Sequence, residues 1–393
     1  MPCDIERVER LQQAMREAGL DALACALPEN VLLLTGYFPV IGTSIAIVTR
    51  SGEVTILAPR DEVELAQDCA HELVAFEPGS LECITGATAA VREPLQRVLQ
   101  QKHLTGAVIG YECGASCEPV SYAAMHFYGS AIPELLGEAS LRPAGELLAR
   151  EKSVLTLIEI DRVRRACRIA EEAFDRGRQC LRAGLKETEA AAHFRAPLST
   201  VGTGFEGVSR SDGMVCCMSG VNSAKAYGAY ARSHARQIEI AEFVLTHCNS
   251  HADGYWTDIT RTYCTAPPAD RHLEIYEALF EARVAGLAAV RPGECAGDVD
   301  RAVRDVLSAR GFGGEFKHPT GHGVGFAAID HNALPRIHPQ STERLAPGMV
   351  FNIEPGIYID GFGGARHCDV VAVTHRGVEL LTPFQCRIEE LIR

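Results

Sequence analysis

Apolar and polar positions along the first third of the chain switch repeatedly between two periods. Ile5, Val8, Leu11 and Met15 recur at helical spacing and predict a helix over 5–19. Short apolar runs over 22–27, 43–49, 53–58, 73–76 and 107–111 read as strands, the second and third joined by a Ser51-Gly52 turn. Helical patterns cover 62–69 and 87–101, and residues 30–37 are apolar up to Thr35-Gly36. This alternation predicts an α/β domain over residues 1–150, and 141–153 reads as a connector to a second domain over 151–393. There Ile160, Val163, Cys167, Ala170 and Phe174 step by three and four on an amphipathic helix. A second helix is expected over 187–195, then an irregular Gly-rich section over 201–220. Later helices are expected over 273–290 and after Asp298 as N-cap, ending at Gly311. A strand over 350–353 and a hairpin of 357–359 with 366–373 close the pattern.

The most informative stretch is 243–264. Two β-leaning arms flank Asp253-Gly254, a hairpin signal, yet polar residues sit inside the arms. His247 and Asp258 lie in opposite arms, so pairing could bring them together. Trp256, Asp258, Thr260 and Thr262 share one face of the second arm. An Asp on a buried sheet needs a partner: an Arg, a hydrogen-bond donor or a metal.

Composition narrows the class. The 393 residues, 47% hydrophobic and 23% charged, describe a globular protein of two domains. A net charge of −13 argues against nucleic acid or an anionic membrane as partner. Arg162, Arg164, Arg165 and Arg168 read as a solvated helix face, and no apolar run is long enough to span a bilayer. The 15 scattered cysteines lack C-x-x-C spacing, which suits buried thiols in a cytoplasmic protein.

The ligand-competent side chains that end strands or sit among glycines are His247, Asp258, His322, Glu354 and Cys368. Distant segments each place one such group on a rigid strand or Gly-rich loop, the pattern of a metal site between facing hairpins. Taken singly, each has a structural reading: Asp258 could pair with Arg261 or Arg366, and Glu354 before Pro355 could cap a turn. Glycines beside His322 would allow close backbone approach.

Four ordered motifs carry a resemblance: G-Y-W-T-D-I-T-R-T at 254–262, H-P-T-G-H-G-V-G at 318–325, N-I-E-P-G-I-Y at 352–358 and G-G-A-R-H-C-D-V-V-A-V-T at 363–374. Together they resemble the pita-bread family of aminopeptidase P, prolidase, methionine aminopeptidase and creatinase, over residues 155–393, with the first domain also similar. The resemblance implies an α+β chain: an N-terminal creatinase-like α/β domain, then a pita-bread catalytic domain. It also implies a homodimer whose first domain lids the partner's site. The family's peptidases hold two divalent metals with two Asp, one His and two Glu.

Carried over, one family Asp, the His and one Glu fall on Asp258, His322 and Glu354, with Glu354 also the general base. The other Asp falls on His247, the other Glu on Cys368, and a further family His on Tyr227. His318 and His331 match the outer histidines that bind substrate or the oxyanion, with Asn332 in place of the family's Glu. Softer donors would favour one divalent transition metal, Zn or Fe over Mn, or none at all. The leading expectation is a metal-assisted hydrolase of small C–N substrates resembling Xaa-Pro peptidases. In it Asp258, His322, Glu354 and Cys368 hold the metal beside His247, and His318, His331 and Tyr227 orient a small-molecule or short-peptide substrate. The alternatives are a metal-independent, creatinase-like C–N hydrolase or lyase, and a peptidase-like binding module. Creatinase's first-domain aromatic and Arg have no match over 38–44, which argues against creatine as substrate. Cys248, between His247 and His251, is read as a buried thiol rather than a nucleophile, and Asp369 as the partner of an Arg.

Overall fold

The computed structural model describes residues 4–40, 43–78, 86–114, 129–136, 141–228, 232–327 and 333–392. Its contacts divide the chain into two units between Lys152 and Ser153.

The first unit contains strands β1 (Ala22–Cys25), β2 (Ile45–Thr49), β3 (Val54–Pro59), β4 (Glu72–Phe76), β5 (Ile109–Tyr111) and β6 (Leu141–Pro143). They form one mixed sheet in the order β4-β3-β2-β1-β5-β6. Its helices are α1 (Ile5–Ala18), α2 (Pro28–Thr35), α3 (Val63–Ala66), α4 (Ala87–Gln101), α5 (Ile132–Leu136) and α6 (Gly145–Ser153). Leu95 and Val98 of α4 pack with Ile45, Ile47 and Leu57 of the sheet in its core. The segment read as a connector is therefore an edge strand and a helix. Three residues of β6 pair in parallel with β5, too few to show a sequence period. The apolar run at 30–37 is largely α2, started by Pro28 in its first turn and ended by Gly36 at φ 75°.

The second unit opens on α7 (Leu157–Cys180), whose Thr156–Glu159 capping box fixes its start. Helix α8 (Glu187–Thr200) follows, then β7 (Ser211–Ser219), β8 (Phe243–Ala252) and β9 (Tyr255–Cys264), an antiparallel sheet in that order. Strand β7 lies in the section expected to be irregular. Its Gly213 is required there, because a Cβ would stand 2.3 Å from the Asn249 carbonyl oxygen. The β8–β9 turn has positive φ at Asp253 (48°) and Gly254 (86°), the primed geometry that suits strand twist. It sets a register of Asn249 opposite Asp258 and His247 opposite Thr260, so His247 is the diagonal neighbour of Asp258.

Helices α9 (Asp270–Ala289) and α10 (Ala296–Ala309) come next. Asp298 is not the cap of α10; Cys295 is, and Asp298 sits in the first turn paired with Arg301 at 2.7 Å. Strand β10 (Val350–Ile353) follows, then β11 (Gly356–Ile359), β12 (Gly363–Arg366), β13 (Asp369–Thr374), β14 (Gly377–Leu380) and the short helix α11 (Ile388–Leu391). The expected last strand over 366–373 is in fact two. Strand β12 pairs with β11, whereas β13 pairs with β10 and β14. The break at His367-Cys368 lets Cys368 bridge to Thr260 of β9, with Cys368 N–H donating to the Thr260 carbonyl at 3.0 Å. That bridge brings the two hairpins together around Asp258.

Candidate metal centre and active site

The site is organised on the Asp258 carboxylate, 2% exposed on β9. His322 Nε2 lies 3.4 Å from Oδ2, while His247 Nδ1 and Cys368 Sγ lie 3.6 and 3.8 Å from Oδ1. Ligand atoms of Asp258, Glu354 and Cys368 all lie within 4.8 Å of one another. Five residues from three distant segments thus meet around one carboxylate.

His322 is held by its backbone. Its N–H donates to Asn352 Oδ1 at 2.7 Å, and ring Nδ1–H donates to the Gly323 carbonyl at 3.0 Å. A carbonyl only accepts, so the hydrogen-bond network assigns Nε2 as the atom facing Asp258. The flanking glycines are needed for this approach. A Cβ on Gly321 would lie 1.9 Å from the Asn352 carbonyl oxygen, and one on Gly323 2.2 Å from that of Leu334. Burial disfavours charge on His322, but the adjacent Asp258 overrides it and pushes its pKa up to about 9. Burial likewise opposes ionisation of Asp258, yet His247, His322 and Arg366 hold it well below the usual carboxylate range.

Arg366, 7% exposed at the end of β12, is the cation of the site. Its Nε donates to Thr260 Oγ1 at 3.0 Å and lies 3.8 Å from Glu354 Oε2, while Nη2 donates to His247 Nδ1 at 2.8 Å. Thr260 Oγ1 is also 3.0 Å from His247 Nδ1. A guanidinium has no lone pair, so Nδ1 is the acceptor and His247 carries its proton on Nε2. Burial, with Arg366 adding to it and Asp258 opposing, lowers the His247 pKa to about 4, so the ring is neutral. Burial also raises Glu354 to about 7, with Asp258 adding and Arg366 opposing. Cys368 is fully buried, and its thiol donates to the Asp258 carbonyl at 3.1 Å; burial and the two carboxylates push its pKa far up.

Asp258, His322, Glu354, Arg366 and His247 line a cavity of about 260 Å³, with Tyr227, Lys317, His318, Arg336 and His338 among its other walls. Tyr227 is 43% exposed, its ring 5.6 Å from that of Tyr358 and under the Lys317 ammonium. His318 commits both ring nitrogens inside the chain: Nδ1–H donates to the Pro319 carbonyl, and Nε2 accepts from the Tyr358 hydroxyl, each at 2.8 Å. His331 and Asn332 lie outside the described residues.

Behind the site, Asp369 pairs with Arg261 at 2.9 Å and with Arg283. It also groups with His367 and Cys386 as potential ligands, but two guanidiniums already satisfy that carboxylate. Asp258 therefore pairs with neither Arg261 nor, directly, Arg366. Burial pushes the Cys248 thiol up to about 12, the behaviour of an inert core cysteine. The Trp256 ring packs 4.7 Å from that of His251, tilted by 51°.

The profile of metallopeptidase family M24 matches residues 161–375, and that of the creatinase/prolidase N-terminal domain matches 7–154. The chain belongs to metallopeptidase family M24. It is a hydrolase by that membership, and the expected order of a creatinase-like α/β domain before the family's catalytic domain holds. It is 27% identical over 378 residues to a Xaa-Pro dipeptidase of Pyrococcus furiosus, covering 96% of this chain and 97% of that one. It is 26% identical over 376 residues to the uncharacterized peptidase YqhT of Bacillus subtilis, covering 96% and 97%. A solved Xaa-Pro dipeptidase from Bacillus anthracis superposes with a TM-score of 0.78 at 25% identity, over 99% of each chain. No described helix is long and apolar enough to cross a membrane.

Within this M24 chain, sequence reading weighed Arg366 only as a structural partner for Asp258, placed Thr260 on the face of Asp258 without a role, and missed Tyr358. Their signal was an arginine inside the apolar G-G-A-R strand, since an arginine buried there needs acceptors.

Proposed function

We propose that this M24 hydrolase cleaves short peptides of the Xaa-Pro type using a single divalent cation held by Asp258, His322, Glu354 and Cys368. The carrying observation is the convergence of these donors: Asp258, Glu354 and Cys368 within 4.8 Å of one another and His322 Nε2 3.4 Å from Asp258. Two oxygens, one imidazole and one thiol make a four-ligand set suited to Zn²⁺ or Fe²⁺. A second cation does not fit. The set has two carboxylates, Arg366 stands 3.8 Å from one of them, and the His247 Nδ1 lone pair is taken by Arg366. Relatives named as Xaa-Pro dipeptidases, matched over nearly their whole length, support the substrate class.

A bound cation would act as a Lewis acid on the scissile carbonyl. Glu354, buried on the cavity wall beside Asp258, is placed to take a proton from the attacking water and return it to the leaving nitrogen. His318 holds the Tyr358 hydroxyl, and Tyr227 with Lys317 walls the cavity where a substrate's outer end would sit. A homodimer would complete the cavity as the family resemblance suggests.

One observation favours a second reading, metal-independent C–N hydrolysis. Arg366 beside Glu354 and a protonated His322 beside Asp258 already balance the two carboxylates. Turnover of an Xaa-Pro panel, abolished by chelator and restored by Zn²⁺ or Fe²⁺, supports the single-cation enzyme. Turnover indifferent to chelator supports the second reading, and no turnover of any Xaa-Pro peptide contradicts the proposed substrate class.

A further inference from the structure

Beyond the donors around Asp258, the cavity has an outer wall that includes Tyr227, Lys317, Arg336 and His338. Among the described residues lining it, only Asp258 and Glu354 are acidic. An outer wall of donors without a carboxylate suits an anionic group. Its cations differ in what they have left to offer. Arg336 is engaged within the chain: Nε and Nη2 donate to Glu343 Oε1 at 3.1 and 2.7 Å, and its backbone N–H donates to Oε2 at 2.8 Å. Arg366, deeper in, is committed to Thr260 and His247. Lys317 is not committed. Its Nζ lies 3.8 Å from Glu315 Oε2 and 3.7 Å from Asp360 Oδ1, both beyond hydrogen-bond distance. It makes no hydrogen bond among the described residues, and the Asp360 side chain is 85% exposed, so water screens that attraction.

Lys317 is nevertheless held in place. Its side chain is only 24% exposed. The backbone on either side of it is clamped by one guanidinium: Arg304 donates to the Phe316 carbonyl at 3.4 Å and to the His318 carbonyl at 2.6 Å. Arg304 is itself fixed by the two oxygens of Asp300, at 2.6 and 3.2 Å. The Lys317 ammonium stands 5.1 Å from the centroid of the Tyr227 ring, and that ring packs edge-on to Tyr358 at 5.6 Å. A π face attracts the cation but does not neutralise it, so the ring fixes the charge and leaves N–H hydrogens for an acceptor. An ammonium already positioned in this way loses little further freedom when an anion binds.

We infer that Lys317, seated on the Tyr227 ring, is the receptor for a substrate carboxylate that lies away from the scissile bond, and that it thereby sets the specificity of this hydrolase. The inference rests on the hydrolase reading above. Two sources present the same chemistry: the C-terminal carboxylate of a dipeptide, and the side chain of an acidic residue. Lys317 acts by binding, so its loss shows in KM more than in kcat.

Two substrate pairs, turned over by the full-length protein as isolated, distinguish the sources. One is Ala-Pro against its amide; the other is Glu-Pro-amide against Gln-Pro-amide. The measured quantity is the ratio of kcat/KM for the charged member to that for the neutral one. Wild type should favour the charged member of at least one pair, and Lys317→Met should lower that ratio by about 10–100-fold, while Lys317→Arg stays within about threefold of wild type. A fall in the first pair assigns the C-terminal carboxylate, and a fall in the second assigns the acidic side chain. Because each ratio compares two substrates on one variant, a partial folding defect cancels. A wild type that favours neither charged member, or a Lys317→Met ratio within about threefold of wild type in both pairs, overturns the inference. If wild type turns over none of these peptides, the substrate class fails, and binding decides Lys317 by itself. N-acetylglutamate, which carries both kinds of carboxylate, should then bind about tenfold or more weakly to Lys317→Met than to wild type by calorimetry, at equal metal content. Equal affinity, or no binding to either protein, overturns the inference.

Discussion

Arg261 is the residue whose loss would most clearly separate the two walls of the site. It is fully buried on β9 and uses its whole fork. Nη1 donates to the carbonyls of Thr260 (2.9 Å) and Cys368 (2.7 Å). Nη2 donates to Asp369 Oδ1 (2.9 Å) and to the carbonyls of Thr382 (3.1 Å) and Phe384 (3.0 Å), and Nε also reaches Phe384 (3.2 Å). One guanidinium therefore ties the strand carrying Asp258 to the bend carrying Cys368. Arg261→Met fills the volume but leaves four carbonyls without these donors. Removing one partner of a buried ion pair costs about 3–5 kcal/mol. Because Arg283 still pairs with Asp369, we expect the lower half of that range, about 3–4 kcal/mol. Urea unfolding followed by the fluorescence of Trp256, the one tryptophan and itself on β9, reads this unit directly. With a slope of about 3 kcal/mol per molar, the midpoint should fall by roughly 1 M. Arg261→Lys keeps the charge but not the fork and should fall between the two. A midpoint within about 0.3 M of wild type for Arg261→Met would refute the reasoning, since that is the scale of a surface substitution.

Other consequences follow from the same geometry. In chelator-treated protein, His322 has a folded pKa near 9 against 6.5 unfolded, so its stabilisation is complete below about pH 6.5 and lost as pH rises through about 9. Glu354, raised from 4.5 to about 7, acts in the same direction over pH 4.5–7. The unfolding free energy measured in urea should therefore decline from pH 6.5 to 9.5 by on the order of 2–3 kcal/mol, and His322→Gln should flatten the decline; a flat wild-type profile would contradict the His322–Asp258 ion pair. Gly321→Ala should cost about 1–3 kcal/mol by calorimetry and weaken Zn²⁺ binding, because its Cβ would collide with the Asn352 carbonyl. Gly314→Ala, where nothing lies within 4 Å of an added Cβ, is the control and should leave both unchanged. Glu354→Gln should lower kcat by about 10²-fold or more with KM little changed; a kcat within about tenfold of wild type would contradict its role as general base.

Much of this architecture was legible in the residues. Asp253-Gly254 between apolar arms announced the central hairpin, and its register does bring His247 beside Asp258. The glycines around His322 announced a close backbone approach, and both meet carbonyl oxygens. Strand β7 was hidden because Gly213 and Asp212 interrupt the β pattern, although Gly213 is there to admit a neighbouring backbone. The single strand expected over 366–373 is broken because its two halves pair with different partners, a long-range choice that local pattern does not encode. The role of Arg366 depends on His247, 119 residues away, and the tautomer of His247 depends in turn on Arg366. Residue type alone made His247 a ligand candidate, and only the identity of its neighbour makes its Nδ1 an acceptor for a guanidinium.

The most direct test of the account is the metal stoichiometry of the full-length protein after chelation, reloading with Zn²⁺ and removal of excess, measured by elemental analysis beside Cys368→Ala and His247→Gln. The donor set predicts a single equivalent per chain, kept in His247→Gln and lost from Cys368→Ala. Two equivalents in the wild type, or a Cys368→Ala variant that binds Zn²⁺ as tightly as wild type, would contradict it.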